Sequence, residues 1–433
     1  MSASLPDDFN VDTIELFKEF TSLSILPGKR GKTLGKGATA TVKLMARKGS
    51  NSDEVYAVKE FRKRGQTEDE VEYEKKVKSE YSIAKSLHHP NIVETVRLCT
   101  HNGRWNHVME YCSQGEIFSL IVKKYFKLED HLCLFKQLMR GVDYLHSHGI
   151  AHRDIKLENL LMTDEGYLKI TDFGVSEVFC GEHPGLRAAG GECGRNMKEC
   201  RRCAPGVCGS LPYIAPEVLA KEGDYDPRAL DVWSCAIVFL TMNYSGSPWR
   251  AAKTTEPYYQ KFLSGWEAWL KTHPEGIITD DPNGGHPKCG PVFLNLPSPA
   301  IRRLLLRMMH PDPEKRISIH DALSDRWVKT IECCSPEACE DDVVDANGTI
   351  PTVNGTRQGS TTSIPSSVPG NTAAGNGNGT GSVPIVDAAA KHSCKVARSK
   401  KVPVIKKHNH LPPAKKKVPE KLQYSFDLGD GYS

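Results

Sequence analysis

The stretch from His152 to Asn159 constrains this chain more than any other, because it places an acid, a cation and an amide at fixed spacing. Asp154 can accept a proton from a hydroxyl group, and Lys156, two residues further on, can balance negative charge. Asn159 offers a neutral oxygen to Mg²⁺, a hard cation that prefers oxygen ligands. The stretch therefore predicts a site that combines a proton acceptor, a positive charge and a metal ligand.

A second metal ligand follows in Asp172, which opens an Asp-Phe-Gly triplet that ends at Gly174. Two apolar runs, 160–162 and 168–170, separate this triplet from the first stretch, and a polar turn lies between the runs. Apolar runs joined by such a turn predict a β-hairpin. The hairpin would bring Asp172 back to Asn159.

Together the two stretches resemble the catalytic loop and the magnesium loop of eukaryotic protein kinases. The resemblance extends over roughly residues 29–330. It implies an α+β fold with a small β-rich N-lobe over residues 29–110 and a larger helical C-lobe over residues 113–330. Residues 1–28 would form a separate N-terminal segment.

The resemblance also implies roles for individual residues. Phosphoryl transfer needs a positioned hydroxyl group and neutralised phosphate charge rather than covalent help from the protein. Asp154 and Lys156 would be catalytic, and Asn159 and Asp172 would hold Mg²⁺ against the phosphates of ATP. The alternative from another class is an inactive scaffold that signals through its tail, but every charged catalytic position is occupied.

A glycine-containing stretch near the start of the domain resembles the kinase loop that covers the phosphates of ATP. Glycines let the backbone amides of a hairpin approach phosphate oxygens closely. Ala40 replaces the third glycine of the pattern, and the pattern alone favours an ordinary hairpin. The resemblance implies ATP contacts from Leu34, Gly35, Lys36, Gly37, Ala38, Thr39, Ala40, Thr41 and Val42.

The next strand pattern supports this interpretation. Residues two apart on a strand share a face, so Ala57 can floor the adenine site while Lys59 points at the phosphates. A buried lysine needs a carboxylate partner. In kinases this partner lies ten residues before the proline of a His-Pro-Asn-Ile-Val motif, which selects Glu80 here and leaves Glu74 as the alternative.

Several helices follow from capping residues and apolar spacing. Thr67 and Glu70 have capping-box spacing, which predicts a helix that begins there and ends at Lys85. The periodicity predicts a second helix over 132–146 and a buried third helix over 230–242. A short amphipathic stretch, 14–20, is expected to form a helix that docks on the small lobe.

The run from His107 to Cys112 resembles the hinge between kinase lobes, and a plain edge strand is the alternative. Backbone groups of Glu110 and Cys112 would then bind adenine, while Met109 would close the back of the pocket. Glu116 would meet the ribose or a substrate arginine.

The resemblance also bears on the substrate. Lys156 and Ser210 are typical of kinases that act on serine and threonine. Glu116 and Glu158 match the acidic pair with which basophilic kinases bind an arginine three residues before the acceptor. Within this class the sequence around Asp172 is most similar to the fungal halotolerance kinases, which regulate potassium and nutrient transporters.

The family pattern predicts two structural charges in the large lobe. An ionised Asp231 is expected to accept hydrogen bonds from backbone amides of the catalytic loop. Glu217 is expected to form a buried ion pair with Arg316.

The activation segment, Asp172 to Glu217, carries an unusual insert over residues 180–208. Between Ser176 and Ser210 it has no serine, threonine or tyrosine, so a regulatory phosphate has no acceptor to bind Arg153. A structural Zn²⁺ or a redox-sensitive thiol pair could order the insert, and a mobile, reduced insert is the alternative. The candidate ligands are Cys180, His183, Cys193, Cys200, Cys203 and Cys208.

Composition limits the partners and the location. The net charge of +4 over 433 residues does not require a nucleic acid partner, and no DNA binding is expected. No signal sequence or membrane-spanning run is evident, so a cytoplasmic location with reduced cysteines is expected. Residues 335–387 are predicted to be a disordered linker. The basic tail over 391–421 is either solvated or docks on an anionic membrane or RNA.

Overall fold

The computed structural model describes residues 5–23, 33–37, 40–49, 54–186, 199–281, 284–336 and 409–412. Some of the predicted features therefore lie outside the described residues: Ala38, Thr39, Cys193, almost all of the linker and most of the basic tail.

The small lobe is built on a seven-stranded sheet with the order β1-β6-β7-β5-β4-β2, in which β3 also pairs with β4. Its strands are β1 (Ile14–Glu15), β2 (Phe20–Ser22), β3 (Thr33–Lys36), β4 (Ala40–Arg47), β5 (Val55–Phe61), β6 (Thr95–His101) and β7 (Arg104–Glu110). The register places Val42 opposite Lys59 and Lys59 opposite His107, so the lysine lies on a central strand.

The N-terminal segment is part of this sheet. β1 pairs in parallel with β6, and β2 pairs with β4. Between these strands lies a single helical turn, α1 (Leu16–Glu19), so the predicted helix is much shorter than expected. Leu16 and Phe20 are buried against the sheet. The small lobe consequently includes residues that precede position 29.

The long helix of the small lobe, α2 (Glu70–Lys85), ends at the predicted residue but begins later than the predicted cap. The capping residue is Asp69, whose carboxylate accepts a hydrogen bond from the backbone amide of Glu72. The expectation that Thr67 caps this helix is therefore wrong, because the nearer carboxylate satisfies the unpaired amides of the first turn.

The large lobe is mainly helical. Its helices are α3 (Ile117–Val122), α4 (Leu128–Ser147), α5 (Pro216–Ala220), α6 (Pro227–Tyr244), α7 (Pro257–Leu270), α8 (Pro291–Leu294), α9 (Pro299–Met308), α10 (Ile319–Ser324) and α11 (Arg326–Thr330). The predicted buried helix is α6, which is apolar on all sides and lies at the centre of the lobe. No helix in the described part of the chain is long and apolar enough to cross a membrane.

Aromatic side chains fill the core around α6 and α7. Trp233 contacts Trp249, Tyr259 and Phe262. Most aromatic side chains of residues 249–269 are thus buried in the core, whereas Tyr258 is 66% exposed.

Short strands connect the large lobe to the interlobe cleft: β8 (Gly115–Glu116), β9 (Ile150–Ala151), β10 (Leu160–Met162), β11 (Leu168–Ile170) and β12 (Glu177–Val178). β10 and β11 form the predicted hairpin, with Leu160 opposite Ile170. The two-lobed α+β architecture is thus confirmed, and the hairpin lies between the two candidate metal ligands.

Candidate active site

A deep cleft separates the sheet of the small lobe from β10 of the large lobe and encloses about 1090 Å³ of space that opens to solvent. Apolar side chains from both lobes line one end of it: Leu34, Val42, Ala57, Val93, Met109, Tyr111, Cys112 and Leu161. Such a slot suits a flat, largely apolar ring system such as adenine. Val93 and Leu161 carry no recognisable motif in the sequence, although Leu161 lies on the strand that directly follows Asn159.

The predicted hinge residues lie at this end of the cleft. Cys112 is buried, and its carbonyl accepts a hydrogen bond from the amide of Gly115 at 3.1 Å. Glu110 points its carboxylate away from the site toward Lys169, whose Nζ lies 2.7 Å from Oε2. Only the backbone of Glu110 can therefore serve a ligand, as the family pattern requires.

Part of the predicted glycine-rich loop borders the same cleft. Leu34, Gly37, Ala40 and Val42 line it. Gly35 and Thr41 occupy the paired strands β3 and β4, and Lys36 is exposed. These loop residues thus form part of the wall of the cleft.

Lys59 joins two carboxylates in the cleft. Its Nζ lies 2.7 Å from Oε1 of Glu80 and 2.8 Å from Oδ1 of Asp172. Burial disfavours the charged lysine, but the two carboxylates outweigh it and raise the pKa of Lys59. The structure thus selects Glu80 as the partner, while Glu74 pairs with Lys78 instead.

Protonation differs between the two carboxylates. The positive charge of Lys59 lowers the pKa of Asp172 to about 2, so this carboxylate is ionised at neutral pH. Burial raises the pKa of Glu80 against the opposing influence of Lys59. Gly174 lies directly beside them, because an added Cβ would be 3.1 Å from Oε2 of Glu80 and 3.4 Å from Oδ1 of Asp172. A side chain at this position would press on the ion pair.

Asp154 is surrounded by hydrogen-bond donors. Lys156 Nζ lies 2.9 Å from its Oδ2, and Asn159 Nδ2 donates to the same oxygen at 3.1 Å. The hydroxyl of Ser210 donates to Oδ1 at 3.2 Å and accepts from Lys156 at 2.8 Å. The structure therefore brings together both predicted catalytic residues, one predicted metal ligand and the residue that suggests the acceptor class.

Asp231 holds the backbone of the catalytic loop in place through hydrogen bonds. Its Oδ2 accepts from the backbone amide of His152 and its Oδ1 from that of Arg153, both at 2.8 Å. His146 Nε2 lies 3.0 Å from Oδ2. The predicted contact between this carboxylate and the loop amides is confirmed. Arg153 has a φ of +64°, a left-handed conformation that these bonds help to hold.

The side chain of Arg153 finds partners in the activation segment and at Tyr225, which follows that segment. Its Nη2 lies 3.4 Å from Oε2 of Glu177, its Nε donates to the carbonyl of Val175 at 2.7 Å, and its Nη1 donates to the hydroxyl of Tyr225 at 3.2 Å. The carboxylate of Glu177 thus binds Arg153. In the usual switch a phosphate would bind this arginine, but the activation segment has no acceptor residue for it between Ser176 and Ser210.

The described parts of the insert are ordered by contacts with both lobes. Arg201 donates to the carbonyls of Val178 and Gly181, and His183 lies 2.9 Å from the Ser79 hydroxyl of α2. Residues 187–198 lie outside the described residues, so the mobile, reduced insert stays an alternative.

The cysteines of the insert separate into two places. Cys200 shares a hydrogen bond with Cys180, whereas Cys203 and Cys208 lie beside Tyr225. No three of the insert's described cysteine and histidine side chains meet as a metal-binding group. Burial also raises the pKa of the Cys203 thiol to about 11, which opposes easy oxidation. Cys193 lies outside the described residues, so zinc binding by the insert stays a prediction.

Glu116 is a buried carboxylate at the edge of the cleft, with 1% exposure. Neither of its carboxylate oxygens has a hydrogen-bond partner among the described residues. Burial, and to a smaller extent the charge of Glu158, raise its pKa to about 7. The two predicted acidic residues therefore lie within electrostatic reach of each other.

The last predicted charge pair is also present. Arg316 donates two hydrogen bonds to Glu217, at 2.8 and 3.1 Å. The pair fastens the end of the activation segment to the large lobe, and its prediction is confirmed.

Comparison with known proteins agrees with this site. The family described as Protein kinase domain matches residues 29–328. The chain is 37% identical over 317 residues to serine/threonine-protein kinase HAL4/SAT4 of Saccharomyces cerevisiae, which covers 71% of this chain and 47% of that protein. It is 35% identical over 366 residues to serine/threonine-protein kinase oca2 of Schizosaccharomyces pombe, with 78% and 52% covered.

A third relative is the Nitrogen permease reactivator protein of Saccharomyces cerevisiae, 35% identical over 329 residues, with 71% of this chain and 39% of that protein covered. The chain spans about half the length of these relatives or less. The family match covers more than two thirds of the 433 residues and includes every residue of the site described above. The chain therefore belongs to the protein kinase family.

Proposed function

We propose that the protein transfers the γ-phosphate of ATP to serine or threonine residues of other proteins. The observation that carries this proposal is the Ser210 hydroxyl, which donates to Asp154 Oδ1 while Lys156 donates to the same hydroxyl. An alcohol is thus already held between a carboxylate and an ammonium group. A substrate hydroxyl at Asp154 would meet the same two charges.

In the proposed reaction the substrate oxygen forms a bond to the γ-phosphorus, and the bond between that phosphorus and the leaving ADP oxygen breaks. The proton of the hydroxyl passes to Asp154. Lys156 balances charge on the transferring group, and Lys59, fixed by Glu80, orients the phosphates. Asp154 is kept in position by Lys156 and Asn159.

The donor set fits Mg²⁺. Asp172 is ionised, and Asn159 uses its Nδ2 for Asp154, which leaves its carbonyl oxygen as the ligand atom. Both are hard oxygen donors of the kind that Mg²⁺ prefers. When bound there, the metal would neutralise phosphate charge.

Basic substrates follow from the surroundings of Glu116. A buried carboxylate without a hydrogen-bond partner among the described residues gains most from a cationic ligand, and an arginine can bind it in bidentate fashion. Glu158 adds a second negative charge nearby. We therefore expect an arginine three residues before the acceptor in good substrates.

Activity without activation-loop phosphorylation follows from Arg153. In the usual switch a phosphate binds this arginine, but here Glu177 and Tyr225 already do so. The loop thus has its anionic partner built into the chain.

Transport proteins are the substrate class that the relatives suggest, since one of them is named Nitrogen permease reactivator protein. Such substrates would place the enzyme in the cytoplasm close to a membrane. The eleven Lys and Arg residues of 391–421, all of which lie outside the described residues, would favour an anionic membrane surface. Phosphopeptide profiles of membrane fractions with and without the gene would test this.

The central proposal is tested by incubating the full chain with radiolabelled ATP, Mg²⁺ and two peptides, one with an arginine three residues before a serine and one with alanine there. We expect label on the serine of the arginine peptide. The Asp172→Ala variant should fail to transfer it. No label from the wild type would contradict the proposal and favour the inactive scaffold, and equal labelling by wild type and variant would show that the label does not come from this site.

A further inference from the structure

Three residues that are far apart in sequence bring zinc-binding side chains together at the large lobe. Cys133 lies on α4, Cys334 follows α11, and His410 belongs to the tail. Their ligand atoms all lie within 4.8 Å of one another, and all three residues are buried. Within the described ranges no other group of three cysteine, histidine or acidic side chains meets this condition.

The surroundings of the sulfur suit a metal-bound thiolate. Cys133 Sγ accepts hydrogen bonds from the backbone amide of Cys334 at 3.2 Å and from Gln137 Nε2 at 3.4 Å. Donors of this kind stabilise negative charge on a ligating sulfur. An ordinary core cysteine needs neither.

A carboxylate also lies beside the histidine. Asp130 Oδ1 is 3.0 Å from Nδ1 of His410, and a carboxylate behind the ring is common for zinc-bound histidines. The Tyr125 hydroxyl donates to the carbonyl of His410 at 3.2 Å. Asp130 would fix the ring so that Nε2 serves as the ligand.

The backbone that carries Cys334 is also fixed from both sides. Lys136 Nζ donates to the carbonyl of Ile331 at 2.8 Å, and Arg140 donates to that of Ser335 at 3.2 Å. The neighbouring thiol of Cys333 shares a hydrogen bond with Cys133. A third sulfur, and with it a fourth candidate ligand, thus lies next to Cys133.

We propose that Cys133, Cys334 and His410 bind a structural Zn²⁺, with Cys333 as the fourth ligand. Soft thiolates together with an imidazole in a closed, buried site are typical of structural zinc. The metal would fasten the tail at His410 to the large lobe. This site is separate from the cysteine-rich insert.

The position also connects the tail to the catalytic hairpin. A Cβ added at Gly166, in the turn between β10 and β11, would lie 3.5 Å from the Cβ of His410. The zinc site would thus hold the tail against the back of the hairpin that separates Asn159 from Asp172.

The test is the metal content of the full-length protein, purified without chelator under reducing conditions and measured by mass spectrometry. We expect about one zinc per chain, as for other closed sites of this type. Substituting Co²⁺ should give the intense near-ultraviolet absorption of cobalt–thiolate bonds. His410→Ala should lose the metal and expose the tail to protease, whereas His410→Cys should retain both.

The matched control is the double variant Cys200→Ser with Cys203→Ser, which alters the insert and should keep its zinc. His410 lies outside the family match, so its variants are expected to fold, which their unfolding temperature will verify. Three results would overturn the proposal: no bound zinc or cobalt in the wild type, zinc retained by His410→Ala, or a disulfide between Cys133 and Cys333 in the reduced preparation.

Discussion

Two buried carboxylates beside the catalytic loop have almost the same exposure, 0% for Asp231 and 1% for Glu116, but opposite surroundings. Asp231 receives two backbone amides of the loop and a histidine nitrogen. Glu116 receives no hydrogen bond from the described residues. A buried carboxylate with a full set of donors is part of the framework. A buried carboxylate without donors destabilises the fold, and its presence is explained if a cationic ligand supplies the donors.

The largest effect is expected from replacing Asp231, the carboxylate that belongs to the framework. Asp231→Ala leaves the buried amides of His152 and Arg153 without their acceptor, at about 1–3 kcal/mol for each. The free energy of unfolding should therefore fall by about 2–6 kcal/mol, and activity should fall with it. Urea unfolding followed by fluorescence measures this. Glu116→Gln is the matched control, and a loss of stability as large in that variant would erase the distinction.

Asp154 tests a third kind of carboxylate, one whose donors surround a reactive group. Asp154→Asn keeps the shape and most hydrogen bonds but removes the proton acceptor. Turnover should fall by ~10²-fold or more, with an unchanged unfolding temperature. Initial rates with saturating ATP and the arginine peptide are the measurement. Turnover near that of the wild type would show that Asp154 is not the base.

The variant Glu116→Gln tests whether Glu116 binds the substrate arginine. The KM for the arginine peptide should rise by about 10- to 100-fold, because a charge-assisted hydrogen bond contributes about 1.5–3 kcal/mol. The KM for the alanine peptide should not change. If the variant loses activity equally on both peptides, Glu116 serves the fold or ATP rather than the substrate arginine.

The same carboxylate predicts a pH dependence. Because the pKa of Glu116 is raised to about 7, the group is protonated below that pH and ionised above it. Arginine binds the ionised form, so the KM for the arginine peptide should fall several-fold between pH 6 and pH 8. The raised pKa also means that the wild type loses stability relative to Glu116→Gln as the pH rises from about 4.5 through about 7. A flat KM profile in the wild type would contradict this assignment.

The smallest effect is expected from dephosphorylation. Treating the purified enzyme with a broad phosphatase should leave its rate unchanged, because Glu177 already provides the anion for Arg153. Glu177→Ala should lower the rate by removing that anion from the loop. A large loss of rate after phosphatase treatment of the wild type would show that a phosphate elsewhere controls the enzyme.

Much of the site could be predicted because its catalytic residues lie in short stretches of the sequence. Asp154, Lys156 and Asn159 lie within six positions, and a hairpin of predictable strands brings Asp172 back to them. The choice of Glu80 over Glu74 rested on family spacing, and the ion pair with Lys59 agrees with it. By contrast, the cap of α2 was misplaced, since two nearby polar residues offered the same capping chemistry and only the backbone geometry favoured Asp69.

The sequence by itself thus determined the two-lobed fold and the catalytic chemistry, because local spacing fixes which side chains share a loop, a strand face or a hairpin. Only the tertiary structure decided which charges are satisfied. It gave Arg153 the carboxylate of Glu177, left Glu116 buried without a partner among the described residues, and separated the cysteines of the insert. It also brought Cys133, Cys334 and His410 together. Such contacts join residues that are distant along the chain, so they depend on how whole elements pack and leave no periodic signal in the sequence.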